Sequence, residues 1–425
     1  MKLIFLNRFF HPDHSATSRM LSDLAFALAR GGRAVAVITS RQRYDAPADA
    51  LPPKEIIDGV AIYRVWTSRF GRANLLGRAM DYATFYLSAT WRLWRLARSG
   101  DVVIAKTDPP MLSVIAGPLC WRRDARLVNW LQDIFPEVAQ ALGIGGRAAR
   151  APLELMRWFR SRSLRTAHMN VVLGRCMAER VSALGVCSDR IRIVPNWADG
   201  TRIVPIDPAQ NALRREWHLG DAFVVGYSGN LGRAHEIDTL LEAMTLLEKT
   251  PPATWPAALP QHAVQRRSVV WLFIGSGALF DVLKVEAARR QLTSVRFKPY
   301  QRESRLAESL SAADVHLVSL QPVLEGLIVP SKFYGIAAAG RPTVFVGDEE
   351  GEIARLLAYH ECGRIIAKGD GTALAQTILE LAANPDLCRW MGQRARQVFD
   401  AEFDKSIALA RWENLLLEVS GAVSQ

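Results

Sequence analysis

The sequence predicts an α/β protein with two Rossmann-like domains, each built around a parallel sheet, that face a central cleft. The chain has 425 residues, which is more than one hydrophobic core normally holds. Short apolar runs alternate with amphipathic segments of helical length, as is typical of βα units. Such a series starts twice, at residues 3–6 and again at residues 223–227. Ligands of these folds bind at the carboxyl ends of the strands, so the loops that follow the strands are where a site is expected.

The first half opens with a strand, a polar loop over residues 7–18 and a helix over residues 20–29 that ends at Gly31 and Gly32. We assign residues 1–200 to this domain and expect the amphipathic segment 406–419 to pack back on it. The predicted strands of this half are residues 3–6, 34–39, 60–65, 101–105, 127–131, 170–173 and 192–194.

The second half, residues 201–400, repeats the pattern. A glycine turn, Ser228-Gly229-Asn230-Leu231-Gly232-Arg233, follows its first strand, and a helix is predicted over residues 237–247. The proline-rich stretch 250–268 has no period and is interpreted as a loop of unknown role. The predicted strands are residues 223–227, 269–274, 295–298, 315–320 and 343–346.

The stretch 321–347 carries the strongest local signal for a ligand site. Pro330 and Ser331 are typical of a helix start, whereas Gly340 and Pro342 end the helix. A strand therefore leads through a loop to a helix N-terminus that bears a hydroxyl and the Lys332 ammonium, a combination that suits phosphate. The alternative is an ordinary capped helix with an exposed lysine.

Positive charge is concentrated in the first half. Residues 1–200 contain 29 Lys and Arg against 16 Asp and Glu, whereas the remainder contains 24 against 26. Two segments, 64–98 and 147–165, hold seven and six Arg with interspersed aromatic residues and one acid each. This pattern favours an anionic membrane surface. Solvated helices with core aromatics are the alternative, and nucleic acid is disfavoured because no recognised binding motif accompanies the charge.

Cysteine usage and hydropathy suggest a cytoplasmic protein without a membrane-spanning segment, and the charge pattern adds peripheral association with the inner face of the cytoplasmic membrane. The five Cys residues show no paired spacing, and no secretory leader is evident. No run of 18 apolar residues occurs. No metal-ligand spacing is found either, and His11 and His14 have no third ligand nearby in sequence.

The ordered motifs resemble those of the retaining GT-B glycosyltransferases of family four, and in particular the bacterial enzymes of exopolysaccharide, colanic acid and O-antigen synthesis. Four segments carry the resemblance: Asp133-Ile134-Phe135-Pro136-Glu137, Pro195-Asn196-Trp197-Ala198-Asp199, the glycine turn 228–233, and Pro330-Ser331-Lys332-Phe333-Tyr334-Gly335 through Gly340-Arg341-Pro342. The resemblance implies a nucleotide diphosphate-sugar donor in the second domain, an acceptor on the first and no cofactor or metal. It also suggests a polyisoprenyl diphosphate-linked saccharide as acceptor.

The resemblance also implies roles for individual residues. Glu325 and Gly326 match the start of the Glu-seven-residues-Glu signature that faces the donor sugar. The second Glu of that signature falls on Gly335, the usual Arg and Lys of the glycine turn fall on Asn230 and His235, and the usual acceptor-side His falls on Gln132.

Four residues are the catalytic candidates. Lys332 and Arg233 would stabilise the leaving diphosphate, Glu325 would contact a sugar hydroxyl, and Asp133 would accept a proton from the acceptor or orient it. The alternatives are a surface arginine, a solvated loop carboxylate and an Asp133 that caps the helix near Pro136. The remaining substrate-binding candidates are Ser15, Ala16, Arg19, Gln132, Asn196, Gly229, Asn230, Gly232, Gly275, Gly326, Leu327, Pro330 and Ser331.

The predicted function is sugar transfer from a nucleotide diphosphate-sugar to a lipid-linked acceptor, of hexosyl or N-acetylhexosaminyl type. A nucleotide-sugar 2-epimerase of the same fold and a catalytically degenerate donor-binding subunit remain as alternatives. A nicotinamide dehydrogenase is disfavoured, because neither glycine turn fits the dinucleotide fingerprint.

Overall fold

The computed structural model describes residues 1–13, 15–43, 50–71, 75–144, 150–249 and 268–421. The chain divides into two compact units. The first contains Met1–Pro195, Gly326–Ile328 and Ala408–Gln425, and the second contains Asn196–Glu325 and Val329–Ile407. All but the last residue of the predicted loop 250–268 lies outside the described residues.

The first unit is built on an eight-stranded sheet with the order β3-β4-β2-β1-β5-β6-β7-β8. All neighbours are parallel except β3 and β4, which form a hairpin. The predicted strands are confirmed within a residue or two, and β3 is an addition. Its strands are β1 (Lys2–Leu6), β2 (Ala34–Ser40), β3 (Lys54–Ile57), β4 (Val60–Val65), β5 (Val102–Lys106), β6 (Arg126–Trp130), β7 (Met169–Val172) and β8 (Ile191–Ile193).

Six helices follow these strands, and a seventh arrives from the end of the chain. Helices α2 and α3 cover one sheet face through Phe85, Leu93 and Ala116, and Trp412 of α15 packs edge-on against Trp130 with 4.7 Å between ring centroids. The helices are α1 (Ala16–Arg30), α2 (Leu75–Leu96), α3 (Leu112–Arg123), α4 (Glu137–Ala141), α5 (Arg150–Thr166), α6 (Arg175–Ala183) and α15 (Lys405–Ser420).

The second unit contains a six-stranded parallel sheet with the order β11-β10-β9-β12-β13-β14. All five predicted strands are confirmed, and β14 is an addition at one edge. The strands are β9 (Phe223–Asn230), β10 (Val269–Ser276), β11 (Val295–Lys298), β12 (Val315–Ser319), β13 (Thr343–Gly347) and β14 (Gly363–Ala367). The helices are α7 (Ala212–Glu216), α8 (Asp238–Lys249), α9 (Ala278–Arg289), α10 (Leu306–Ser311), α11 (Lys332–Ala338), α12 (Glu352–His360), α13 (Gly371–Ala383) and α14 (Pro385–Val398).

The core of the second unit is apolar and aromatic, with Tyr227, Trp271 and Phe273 fully buried in the sheet. The turns after β9 and β10 and the loop after β12 all leave the sheet at its carboxyl edge. This edge therefore holds the second-unit candidates of the two glycine turns and of residues 330–332, whereas Asn196 lies before β9. Within the described part of the chain, no helix combines the length and the apolar character that crossing a membrane requires.

Candidate functional site

The glycine turn of the second unit depends on backbone that only glycine tolerates well. Gly229 and Gly275 are paired neighbours on β9 and β10, with φ of +125° and +140°. A methyl group at Gly275 would lie 2.2 Å from the Gly229 carbonyl oxygen, which no side-chain adjustment relieves. The two strands therefore stay in contact to their ends, and the turn exposes backbone where a ligand can approach.

Lys332, the first residue of α11, reaches this turn. A methyl group at Gly229 would lie 2.9 Å from Lys332 Cε, so the glycine leaves room for the lysine stem. The ammonium lies 5.1 Å from the centroid of the Tyr227 ring and 3.1 Å from Nε2 of His235. Burial lowers the pKa of Lys332 to about 8. The charged form of Lys332 is thus less stable than in water, and a bound anion would stabilise that charged form.

The other donor-side candidates lie in the glycine turn and at the start of α11. Arg233 and Asn230 are exposed in the turn, and Ser331 is exposed at the start of α11. The Ser331 hydroxyl makes no capping hydrogen bond. Pro330 is buried, whereas Gly232 is partly buried beside the Asn230 amide. The predicted bounds of this helix, from Pro330 and Ser331 to Gly340, are confirmed.

Lys368 is a further cation at this edge that sequence reasoning missed. It lies just after β14, and its ammonium donates to the Gln321 side chain at 2.8 Å. Gln321 in turn donates from its amide to the His235 carbonyl at 3.2 Å. The prediction omitted Lys368 because β14 was not recognised as a strand, so nothing placed this lysine at the carboxyl edge.

Glu325 is not a solvated loop carboxylate. It is partly buried, and its Oε1 accepts a hydrogen bond from the backbone N–H of Glu352 at 2.9 Å. It thereby caps α12, whose own N-cap residue is Gly351. Gly326 and Leu327 group with the first unit, where the N–H of Ile134 donates to the Leu327 carbonyl at 2.9 Å.

In the first unit, Asp133 and Gln132 follow β6. The helix α4 begins at Glu137 without a side-chain cap, so the alternative in which Asp133 caps this helix is wrong. Burial and the Asp108 carboxylate raise the pKa of Asp133 to about 6, whereas a hydrogen bond with Thr107 lowers it. Asp133 Oδ1 and Gln132 Nε2 are shielded from solvent and have no hydrogen-bond partner among the described residues, which is uncommon for buried polar atoms outside ligand sites.

Ser15 is the N-cap of a helix that contains Ala16 and Arg19, so this helix starts inside the predicted loop 7–18. Helix α1 begins at Ala16 because the Ser15 hydroxyl accepts a hydrogen bond from the Ser18 N–H at 3.3 Å. Arg19 follows one turn later and is partly buried. Asn196 is buried in the second unit, and its Oδ1 has no partner among the described residues.

Lys106 is a buried cation that the sequence prediction did not include. It ends β5, donates from Nζ to the Thr17 carbonyl at 2.9 Å, and lies 3.7 Å from the Trp130 ring centroid. Burial lowers its pKa well below the ordinary value, and the Asp108 carboxylate opposes that shift. The sequence signal that could have identified it is a lysine that directly follows the apolar residues of β5. This position, at the carboxyl edge of the first sheet, places it near the end of β6 and its candidates.

A cavity of about 770 Å³ lies at the opposite, amino edge of the second sheet. It is lined by residues that precede β9, β12 and β13, among them Arg214, Asp314 and Arg341. These arginines are already bonded to protein groups: Arg214 to Asp314 and Arg341 to the Ile206 and Ser311 carbonyls. The cavity contains none of the predicted site residues.

Comparison with known proteins decides the family. A sequence model described as "Glycosyl transferase 4-like domain" matches residues 15–197, and one described as "Glycosyl transferases group 1" matches residues 210–398. A protein of Pseudomonas aeruginosa named "Probable glycosyltransferase WbjE" is 30% identical over 355 residues, covering 81% of this chain and 82% of that protein. The chain belongs to the glycosyltransferases.

A second relative agrees with this membership, and two solved structures share the fold. WcaI of Escherichia coli K12, named for glycosyl transfer in colanic acid biosynthesis, is 22% identical over 84% of this glycosyltransferase and 86% of that protein. Sucrose-phosphate synthase of Thermosynechococcus elongatus superposes with a TM-score of 0.75 at 16% identity, covering 99% and 100% of the two chains. Anabaena HepE, solved with UDP, gives a TM-score of 0.69 at 14% identity over 98% and 100%. The predicted GT-B fold is confirmed.

Proposed function

We propose that this glycosyltransferase moves a sugar from a nucleotide diphosphate-sugar to a lipid-linked saccharide during synthesis of a bacterial surface polysaccharide, with retention of anomeric configuration. HepE structures contain UDP or UDP-glucose, which supports a nucleotide-sugar donor. WcaI is named for colanic acid biosynthesis, and the solved neighbour WaaG is described as involved in lipopolysaccharide biosynthesis. Retention and the lipid carrier rest on the sequence resemblance.

The observation that carries the donor half of the proposal is the position of Lys332. Its ammonium lies against the glycine turn at the carboxyl edge of the second sheet, and Arg233 is exposed in the same turn. Cleavage of the bond between the anomeric carbon and the phosphate oxygen leaves the electron pair on the phosphate. Fixed cations that face this oxygen stabilise the developing negative charge. In this proposal Lys332 and Arg233 supply the positive charge, and no metal is needed.

Asp133 supports the acceptor half. A carboxyl group whose pKa lies near 6 is ionised at neutral pH and still able to take a proton, as a general base requires. In the proposed reaction the acceptor oxygen bonds to the anomeric carbon and loses its proton, and Asp133 accepts or orients that proton. Gln132 lies beside it with a buried amide nitrogen that has no described partner, and a sugar hydroxyl would satisfy it.

The first unit also carries a surface suited to an anionic membrane. Helices α2 and α3 are neighbours, as are α3 and α5, and their outer faces expose Leu87, Trp91, Trp121, Trp158 and Phe159. Trp121 is 82% and Trp91 62% exposed. Exposed arginines accompany them at positions 95, 122, 162 and 165. Bulky apolar side chains mixed with cations are typical of interfacial binding to anionic lipid.

Several residues of the two basic segments are buried and do not belong to this exposed surface. Arg64 is buried and paired with Glu55, Phe85 is fully buried, and Arg160 is buried and paired with Glu137. These residues are therefore unavailable to a membrane. Trp121, which lies between the two segments in sequence, was missed. Arg147 lies outside the described residues.

The donor claim is tested by thermal-shift measurements with UDP-, GDP-, ADP- and dTDP-sugars, because a ligand that binds only the folded state raises the melting temperature. We expect one nucleotide class to raise it in the wild type and not in Lys332→Ala. No shift with any of them would contradict the proposal. If a stabilising donor is converted to an epimer in the absence of acceptor, the epimerase alternative is favoured. If a donor binds but no sugar is transferred, the degenerate-subunit alternative is favoured. The relatives named above favour neither.

A further inference from the structure

His235, three residues after the glycine turn's last glycine, has a polar contact at each ring nitrogen, and the Asn230 backbone also hydrogen-bonds with the ring. Its Nδ1 lies 2.7 Å from the Ser319 carbonyl oxygen. A carbonyl oxygen only accepts, so Nδ1 carries the hydrogen and donates it. Its Nε2 lies 3.1 Å from Lys332 Nζ. A charged ammonium only donates, so next to it Nε2 has no proton and accepts. With Lys332 charged, these two contacts therefore fit a neutral ring protonated at Nδ1.

We propose that His235 is a positioning residue of the donor site: its Nε2 accepts a hydrogen bond from Lys332 and holds that ammonium beside the glycine turn for a diphosphate. The inference rests on the proposed function, because it adds a supporting residue to the same site. By the sequence resemblance this position usually holds a lysine. In this chain the histidine acts on the ligand through Lys332.

The ring of His235 is fixed by its surroundings. Tyr227, fully buried in β9, meets it edge-on with 5.8 Å between centroids. The backbone on both sides of His235 is bonded to the end of β12, since the Gln321 N–H donates to the Ala234 carbonyl at 2.9 Å and the Glu236 N–H to the Ser319 hydroxyl at 3.3 Å. The imidazole therefore presents Nε2 in one direction.

Lys332 is held on its other sides without an acid. Its stem lies against Gly229 and its ammonium lies over the Tyr227 ring. In the part of the chain that the structure describes, no carboxylate lies within ion-pair distance of Lys332. A neutral histidine orients the ammonium without cancelling its charge, whereas an Asp or Glu would compete with an incoming phosphate.

The charged and titratable groups beside this pair come from β9, from the glycine turn and the segment after it, and from the residues after β14. Tyr227 comes from β9, and Arg233 and Glu236 come from the turn and the segment after it. Lys368 follows β14 and reaches the pair through Gln321. The Glu236 carboxylate accepts hydrogen bonds from the N–H groups of Asp238 and Thr239. Burial and Lys332 lower the pKa of His235 to about 4, although hydrogen bonds with the Ser319 and Asn230 backbones oppose this shift, so the ring is neutral near pH 7.

The first test measures the proton affinity of Lys332 directly. Pulse acylation with acetic anhydride from pH 6 to 10, read out at Lys332 by peptide mass spectrometry, should give a midpoint near 8 in the wild type. In His235→Leu, which has no acceptor, the ammonium loses its hydrogen bond, and the midpoint should fall by about one pH unit. In His235→Gln, whose amide oxygen can accept, it should stay within a few tenths of the wild-type value.

An unchanged midpoint in a folded His235→Leu protein would overturn the proposal. Melting curves establish whether each variant is folded. Nitrogen NMR of the wild-type imidazole provides a measurement that needs no variant: a neutral ring protonated at Nδ1 down to about pH 5 supports the proposal, and a ring protonated at Nε2 overturns it.

Protection of Lys332 from acylation separates this inference from the proposed function. UDP, GDP, ADP and dTDP are added singly to the wild-type protein. Protection by at least one supports a diphosphate site at Lys332, and protection by none contradicts the donor site. The His235–Lys332 coupling is judged separately, by the shift of the midpoint between His235→Leu and wild type.

Discussion

Glu325 caps the helix that begins at Glu352. Its Oε1 accepts the Glu352 N–H at 2.9 Å, and a methyl group at Gly351 would lie 2.4 Å from its Oε2. A carboxylate at a helix N-terminus is stabilised by the unpaired N–H groups and the helix dipole. Glu325, which the sequence resemblance assigns to the donor sugar, thus also has a structural role as a helix cap.

Substitution of Glu325 separates these two duties. Glu325→Ala should lower the free energy of unfolding by about 1 kcal/mol, the usual loss of a cap, whereas Glu325→Gln should lose less because its amide oxygen still accepts. If the carboxylate also contacts the sugar, Glu325→Gln should lose at least about tenfold in kcat at nearly wild-type stability. Denaturant unfolding and initial rates measure both. Full kcat in Glu325→Gln would show that Glu325 caps the helix and does not contribute to catalysis.

Removal of either donor-side cation should slow transfer. Lys332→Ala and Arg233→Ala are each expected to lower kcat/KM by about 10²–10³, the scale for one preorganised electrostatic group. Lys284→Ala is a matched control, because Lys284 lies exposed on α9 of the same unit and near Asp281. Steady-state kinetics with a saturating acceptor measures the effect. Unchanged turnover in both site variants would remove the electrostatic argument.

Asp133 should show opposite effects on stability and on activity. Its folded pKa, about 6, exceeds its ordinary value, so ionisation of the folded protein carries a penalty that is absent below about pH 4 and complete above about pH 6. Asp133→Asn should therefore be more stable than wild type at pH 7.5, by about 3 kcal/mol at most, and about equally stable below pH 4.

The same substitution tests the acid–base role. Wild-type kcat/KM should fall as the pH drops through about 6, because the carboxylate of the free enzyme is protonated there. Asp133→Asn should have a low kcat/KM without this acidic limb. A pH–rate profile from 5 to 9 on both proteins measures it, and an Asp133→Asn protein with full kcat would exclude Asp133 from proton transfer.

The exposed tryptophans of the first unit should control membrane binding. Wild-type protein is expected to co-sediment with vesicles of phosphatidylcholine containing about a third phosphatidylglycerol, and to be released by about 0.5 M salt, which screens the arginines. The double variant Trp91→Ser, Trp121→Ser should stay in the supernatant. Tyr359→Ser removes an equally exposed aromatic, 82% accessible, from the second unit and should bind like wild type. Equal binding by all three proteins would contradict the assignment of this face.

Metal removal should leave the reaction unchanged. Because Lys332 and Arg233 are proposed to carry the leaving-group charge, dialysis against EDTA is expected to leave kcat within about twofold of the untreated enzyme. Readdition of Mg²⁺ or Mn²⁺ serves as the control. Activity that disappears with EDTA and returns with either ion would contradict the metal-free proposal.

The sequence predicted the strands and helices that depend on local periodicity. It did not predict the features that depend on contacts between distant parts of the chain. The parallel strands and the short helix α11 followed from apolar runs and from Pro, Ser and Gly signals. Strand β3 was missed because Lys54-Glu55-Ile56-Ile57 is short and half charged, and it is stabilised only by pairing with β4. The start of α1 was placed four residues late because Ser15 was not recognised as its cap.

The candidate site was predictable as a set of loops but not as a set of contacts. The glycine turn and Lys332 were both identified, yet no sequence pattern links Lys332 with His235, which lies 97 residues away. Arg64 was counted with the surface charge, although Glu55 and the sheet bury it. Pairings of this kind arise from tertiary structure, and spacing along the chain does not encode them.

The central claim is that the diphosphate of the donor binds at Lys332 and the glycine turn of the second unit. A crystal structure of the protein with its stabilising nucleoside diphosphate measures this directly. We predict phosphate oxygens within hydrogen-bond distance, about 3 Å, of Lys332 Nζ and of the turn that bears Arg233. A nucleotide seated instead at the opposite edge of the sheet, in the cavity beside Arg214 and Arg341, would contradict the account.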